Sequence, residues 1–493
     1  MLRLLFIALL LRIFAQAGAD NLYWSGRFDE AVSEYRTAIA ANPSDLAAQA
    51  GLVRTLLKQD KAGPAADAVK LFLAAHPKDP TLLTLSGDVQ FRQGLFDEAN
   101  ASYLRSNDID NRNARTLLGL GRLHASEKRH RTAAAFFRRA YALDPNDPDV
   151  IKEWADTLDN SADQIAALEK YLLKATNEEP ERLLDVRNQI DYLAAVGDRR
   201  TTTLIDPPES TVVRLALVEG GASNAPRGFG VAVVINGGKP ATLLFDTGAG
   251  GITIHRKLAD KLGVKRLASS RLKGVGDGGS KTASIGIADE LRIGDVVFRD
   301  VPITISDKKA GGVDGGLIGS NLFQTFLVSI DGPRRMLRLR LRRETAEIAA
   351  NDYDATTPPG EENFTRVRCF NHLMLVDTLA GGKKRGWFLI DSGASGNMIS
   401  LAMARATARY LAPGTLQLTG VSGPVDRSYV ARGVDLLFAG FHNSNQELIA
   451  FDFQKLNKSV RTEISGLLGF PALETLVTTI DYRNGLVKFQ KGK

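Results

Sequence analysis

From residue 241 onward the chain writes one pattern twice. The apolar run Ala241-Thr242-Leu243-Leu244-Phe245 delivers Asp246-Thr247-Gly248-Ala249, and 145 residues later Trp387-Phe388-Leu389-Ile390 delivers Asp391-Ser392-Gly393-Ala394. A Gly-rich turn follows each, Gly274-Val275-Gly276-Asp277-Gly278-Gly279 and Gly420-Val421-Ser422-Gly423, at offsets of 28 and 29 from the aspartates. Leu317-Ile318-Gly319 and Leu467-Leu468-Gly469 come next, and Ile330-Asp331 and Ile480-Asp481 lie at one spacing beyond those last glycines. A lone Asp-Thr/Ser-Gly triplet arises by chance about 0.2 times in a chain of this length and ordinarily marks a turn. Four landmarks in one order, twice, instead require two lobes of one plan, each setting an acidic residue at the end of a buried strand.

The surrounding sequence is β-rich and glycine-punctuated, as in Phe229-Gly230-Val231-Ala232-Val233-Val234-Ile235. This duplicated block resembles the aspartic peptidases. It is closer to the retropepsin-like bacterial and retroviral type than to the larger pepsins, because each copy has only about 140 residues. The resemblance covers roughly residues 210–493. It implies that Asp246 and Asp391 form the catalytic dyad and that Thr247, Gly248, Ser392 and Gly393 shape the turns beneath it. It also implies flaps over a cleft at Gly274, Val275 and Gly276 and at Gly420, Val421 and Ser422, with Gly319 and Gly469 supporting the aspartate loops.

Two carboxylates about 3 Å apart cannot both ionise, so such a pair shares one proton. The ionised member takes a proton from water, and the protonated member hydrogen-bonds the scissile carbonyl. That chemistry needs no cofactor and no metal. Ala249 and Ala394 stand where pepsin-like sites often carry Ser or Thr. Loss of a hydroxyl donor raises the expected dyad pKa values and moves the expected pH optimum to roughly 4.5 to 6.

The front of the chain repeats at a period of 34, with Pro43, Pro77, Asn111 and Pro145 at one register. Gly26, Phe28, Ala31, Tyr35 and Ala38 recur as Gly94, Phe96, Ala99 and Tyr103, and a third copy keeps Gly121, Ala133, Phe137 and Ala140. A degenerate copy after Pro148 keeps Trp154, Ala167 and Tyr171. This segment resembles the tetratricopeptide repeat family. Small residues let paired helices approach, aromatics fill the space between neighbours, and proline ends the second helix. The array is expected either to dock a peptide or protein partner on its concave face or to act as a spacer.

Residues 1–19 admit two readings. Arg3, the apolar stretch Leu4 to Leu11 and the small Ala15, Ala17 and Ala19 fit a secretory signal, interrupted by Arg12. The repeat register, however, runs the first helix of the first copy across the same residues, which makes them the start of the solenoid. Removal of the segment implies a periplasmic or secreted protein, and retention a cytoplasmic one. The apolar run is too short to span a bilayer, and no integral membrane segment is expected in the mature chain.

At 493 residues the chain needs about three folding units. The expected divisions are a signal at 1–19, helical repeats at 20–196, a linker at 197–210, a first lobe at 211–345, an inter-lobe linker at 346–360 and a second lobe at 361–493. The fold class is an all-α solenoid followed by two all-β lobes related by a pseudo-twofold. The single Cys369 excludes an intrachain disulfide framework, and six scattered histidines give no metal signature. The net charge of +7 owes part of its excess to Arg334-Arg335-Met336-Leu337-Arg338-Leu339-Arg340-Leu341-Arg342-Arg343, whose alternation predicts a half-buried strand with a solvated basic face. No aromatic platform accompanies it, so no nucleic acid is expected as a partner. The stretch Gly274–Gly279 satisfies G-x-G-x-x-G and Gly279-Ser280-Lys281-Thr282 looks like a damaged P-loop, but neither opens a helix after a strand. Cys369 and His372 lack a nucleophile context and are expected in the core or a strand.

The expected function is therefore an aspartic endopeptidase acting on a peptide or protein substrate, with the two lobes paired within one chain. The alternative is a non-catalytic peptide-binding adaptor on a degenerate peptidase fold.

Overall fold

The computed structural model describes residues 18–219, 226–276, 278–308, 315–342, 352–414 and 419–492. Residues 1–17 of the candidate signal, Asp277, Arg343 and residues 346–351 of the expected inter-lobe linker lie outside them. The chain divides into two compact units, Met1–His124 with Thr132–Ile190, and Ala125–Arg131 with Asp191–Lys493.

The first unit is built from antiparallel helix pairs, among them Phe28–Ala41, Leu46–Lys58, Ala62–Ala75, Pro80–Arg92 and Phe96–Ile109. The 34-residue period reappears as a helix-start device. Asp45, Asp79, Asn113 and Asp147, spaced by that period, each accept a hydrogen bond from a first-turn amide: Ala48, Leu82, Thr116 and Asp149 respectively. A side-chain acceptor there satisfies a donor that the helix cannot pair internally. Pro80 and Pro148 occupy the next position, where no amide is needed. Glycines inside the helices give way to aromatic rings. A Cβ on Gly51 would lie 2.3 Å from the Tyr35 ring, one on Gly87 would lie 2.5 Å from Tyr103, and one on Gly121 would lie 2.4 Å from Phe137. The Tyr103 hydroxyl donates to the half-buried Asp88 at 2.7 Å. In the degenerate copy Ala167 and Tyr171 are buried and Trp154 stacks on Tyr141.

Residues 18–24 are helical, Ala19 is buried, and Tyr35 donates to Asp20. The turn after helix Ser161–Lys174 reaches back to this start. Thr176 donates to the Trp24 carbonyl at 3.0 Å, Asn177 donates to that of Tyr23, and Lys58 pairs with Glu178 at 3.3 Å.

The second unit holds two lobes. A nine-stranded sheet forms the first, an eight-stranded sheet forms the second, and a six-stranded sheet belongs to both. In the shared sheet Phe326–Asp331 lies antiparallel to Leu476–Asp481, with Ser329 opposite Thr479 and their hydroxyls 2.6 Å apart. Pairing of the lobes is therefore internal to the chain. The repeated Ile-Asp landmarks end these two strands. Asp331 accepts from the Arg334 amide, and Asp481 accepts from those of Arg483 and Asn484, closing the hairpins that follow.

The arginine-rich run forms strand Met336–Leu341, which buries Leu337 and Leu339 and turns Arg338 and Arg340 to solvent. Arg342 beyond it is buried between Glu361 and Asp481. Residues 197–210, expected as a linker, contribute strand Thr203–Ile205, which pairs with Val297–Arg299. Leu204 packs partly on the main core while none of the three side chains is fully buried, so a strand this short leaves no apolar alternation to read.

Candidate active site

In both lobes the strand that leads into the aspartate is locked between neighbours that cross it. Ala241–Phe245 runs parallel to Gly316–Ile318, and Lys384–Ile390 runs parallel to Gly466–Leu468. The Asp246 amide donates to the Ile318 carbonyl and the Asp391 amide to that of Leu468, each at 3.0 Å. Leu243 and Phe245, like Phe388 and Ile390, point into the main hydrophobic core. The chain after each aspartate turns back so tightly that a Cβ on Gly319 would lie 2.3 Å from the Ala249 carbonyl oxygen. One on Gly469 would lie 2.2 Å from that of Gly396. These are the glycines of the repeated landmark, and the backbone leaves no room for a side chain at either.

The two aspartate loops meet across the pseudo-twofold. A Cβ on Gly248 would lie 2.7 Å from Cγ of Asp391, and one on Gly393 would lie 2.3 Å from Cγ of Asp246. Each glycine thus makes space for the other lobe's carboxyl. Thr247 Oγ1 donates to the Ile390 carbonyl at 2.8 Å and accepts from the Ser392 amide at 2.9 Å. Ser392 Oγ donates to the Phe245 carbonyl at 2.7 Å and accepts from the Thr247 amide at 3.1 Å. Thr247 and Ser392 are 2% and 0% exposed, so these four bonds are made away from water.

Within its own loop Asp246 accepts from the Gly248 amide at 2.8 Å, and Asp391 accepts from those of Gly393 and Ala394 at 3.1 Å. Burial lifts Asp246 well above the ordinary carboxylate range, and the charge of Asp391 adds to the rise. Burial also raises Asp391. The hydrogen bond between the carboxyls raises Asp246 and works against the rise of Asp391, which sets one group towards the proton and the other towards the charge. Donors below and two unlike carboxyls above are the arrangement that can polarise a water and a carbonyl together.

All six flap candidates come together. The Ser422 amide donates to the Val275 carbonyl at 3.0 Å, the Gly278 amide donates to the Ser422 carbonyl at 2.7 Å, and the Gly274 amide donates to Ser422 Oγ. A Cβ on Gly276, whose φ is +128°, would lie 2.2 Å from the Gly423 carbonyl oxygen, and one on Gly420 would lie 2.2 Å from that of Val275. The two turns close tip against tip through backbone contact, which demands glycine at the crossing points.

Two residues near the loops were not placed there by the sequence: Asn397 carries no signal, and His372, expected in the core or a strand, is half-buried in the turn between strands Arg368–Phe370 and Leu373–Ala380. His372 presses against the first aspartate loop: its Nδ1 lies 2.9 Å from where a Cβ on Gly250 would stand, and its ring bonds the Gly248 backbone. Burial lowers its pKa. Asn397 Oδ1 accepts from the Gly469 amide at 2.9 Å, a place filled in the first lobe by the Gly251 carbonyl receiving the Gly319 amide. Cys369 is a buried free thiol. Among the described residues no cluster of three His, Cys, Asp or Glu could hold a metal ion, and no helix is long and apolar enough to cross a membrane.

The aspartyl protease family model matches residues 231–322 and 376–472, and tetratricopeptide repeat models match residues 22–89 and 84–148. Among solved structures, the aspartic proteinase of Irpex lacteus is 14% identical, covering 58% of this chain and 98% of its own, at a TM-score of 0.35. A thermophilic tetratricopeptide repeat protein of Thermus thermophilus is 22% identical, covering 37% of this chain and 98% of its own, at a TM-score of 0.31. No curated protein matches the chain.

Proposed function

With tetratricopeptide repeats in front and an aspartyl protease domain behind, the chain is, we propose, an aspartic endopeptidase whose dyad is Asp246 and Asp391. The single observation that carries this reading is the interleaving of the two aspartate loops, each carboxyl lodged over the other lobe's glycine. The ionised carboxylate takes a proton from a water held between the pair as that water's oxygen attacks the scissile carbonyl carbon. The protonated carboxyl hydrogen-bonds the carbonyl oxygen and then transfers its proton as the tetrahedral intermediate forms. Transfer of a proton to the nitrogen breaks the C–N bond and releases an acid and an amine, without a covalent intermediate. The closed tips of Val275 and Ser422 support a step in which the flaps part to admit substrate and shut to exclude water.

The repeats are proposed to recruit a protein partner or the substrate itself, as stacked helical repeats present extended binding surfaces. Location follows residues 1–19: their removal makes the protein periplasmic or secreted and their retention cytoplasmic, and N-terminal sequencing of the mature chain decides between the two.

The test is cleavage of a denatured mixed-peptide library between pH 4 and 7 by wild type and Asp391→Asn, with pepstatin in a parallel sample. Cleavage by wild type that is absent from the variant is the expected result. Identical profiles from two folded proteins would replace the peptidase by the peptide-binding adaptor.

A further inference from the structure

The two walls of the cleft are built on one register and lined with different chemistry. On the aspartate-bearing sheet of each lobe, alternate residues enter the main core: Leu243, Phe245, Ile252, Ile254, Ile303 and Ile305 in the first, and Phe388, Ile390, Ile399, Leu448 and Ala450 in the second. The residues between them face the other way, the side on which Ala249 and Ala394 of the aspartate loops pack.

Strand pairing sets these outward residues in matching rows. The first lobe reads Gly230, Leu244, Leu317, Thr253, Thr304, each opposite the next. The second reads Leu375, Leu389, Leu467, Met398, Ile449 in the same sense. The two leucines nearest the aspartates are shared. The rest diverge: glycine against leucine, threonine against methionine, threonine against isoleucine.

Around these rows the divergence widens. The second wall belongs to an apolar cluster with Leu373, Phe451, Phe453 and Ile464, whereas among the described residues the first groups just Val218 and Ala249 with its leucines. Val218 fills the space over Gly230, where a Cβ would lie 2.8 Å from it. The hydroxyls of Thr253 and Thr304 make no hydrogen bond among the described residues. Val275 of the first flap already packs on the second wall, and a cavity of about 20 Å³ remains between that flap and Phe451 and Leu456.

Resting on the peptidase reading, we infer that the cleft is one-sided. The second-lobe wall takes a large apolar or aromatic side chain, and the first-lobe wall takes a small or hydroxyl-bearing one, so the substrate lies in one direction and is cut between unlike residues. A bulky apolar group gains from burial against Met398, Ile449 and Phe451 and gains little against two free threonine hydroxyls.

The test profiles a random peptide library with the intact chain in two ways: cleavage by wild type, and retention by Asp391→Asn. Each is repeated with Met398→Thr/Ile449→Thr and with Thr253→Met/Thr304→Ile, whose folding is checked by thermal melting. Wild type enriches large apolar residues on one side of the scissile bond only. The second-lobe pair loses about tenfold of that enrichment, on that side alone. The first-lobe pair gains an apolar preference on the other side, and this gain reports even where the second-lobe pair fails to fold. Equal apolar preference on both sides in wild type, or a change in one lobe that alters both sides or neither, overturns the inference. Absence of Asp391-dependent cleavage removes the peptidase reading alone. The retained peptides then decide the one-sided cleft by the same criterion, and no retention overturns it too.

Discussion

Replacing Thr247 by valine keeps the shape of a buried side chain and removes one hydroxyl, so its cost can be worked from the bonds that hydroxyl makes. Thr247 Oγ1 serves the Ile390 carbonyl at 2.8 Å and the Ser392 amide at 2.9 Å, both on the opposite lobe. At 2% exposure no water replaces it. Each orphaned backbone group costs about 1–3 kcal/mol, so the variant is expected to lose about 2–6 kcal/mol. That is a large part of the 5–15 kcal/mol or so typical of a folded domain. Ser392→Ala orphans the Thr247 amide and the Phe245 carbonyl and should cost a similar amount, because the pseudo-twofold gives the two hydroxyls equivalent work. Thr247→Ser restores the hydroxyl and recovers most of the loss. The assay is urea denaturation followed by the fluorescence of Trp387, in a Trp24→Phe/Trp154→Phe background that leaves it as the sole indole. A Thr247→Val protein within about 0.5 kcal/mol of its parent would refute the reasoning, since so small a loss means that those backbone groups find other partners.

Three further outcomes are expected. Burial raises both aspartates above the usual carboxylate range, so the native state binds protons more tightly than the unfolded chain, and stability falls as pH rises from about 4 through the raised native values. Asp391→Asn removes one of the two carboxyls whose ionisation the folded state opposes and should melt above wild type at pH 7, with the gap closing towards pH 4; equal melting temperatures at pH 7 would contradict this. Gly319→Ala drives a Cβ to 2.3 Å from the Ala249 carbonyl oxygen, whereas one on Gly251 meets nothing within 4 Å. The first change should cost about 3 kcal/mol or more and the second almost nothing, a contrast that calorimetry reads directly. Tyr103→Phe deprives the half-buried Asp88 of its hydroxyl donor and should weaken the helical unit by about 1–3 kcal/mol, measured by circular dichroism at 222 nm; an unchanged helical transition would mean that Asp88 has another donor.

The sequence alone carried the period of 34 and the twice-written aspartate block, because both depend on local pattern. Strand endings, tight turns and helix-pair packing recur wherever the same residue types recur, and that was enough for the two fold classes, for Asp246 and Asp391 as candidates, and for glycine at 319 and 469. The tertiary structure decided everything that joins distant segments. The crossed bonds of Thr247 and Ser392, the seat of His372 against Gly248 and Gly250, and the closure of Val275 on Ser422 each link residues roughly 120 to 150 apart. Strand Thr203–Ile205 was hidden because so short a strand buries none of its side chains fully. The unequal walls were written in the sequence as Thr253, Thr304, Met398 and Ile449, yet unreadable there: alternation tells two faces apart, and only the packed core shows which of them is left for the cleft.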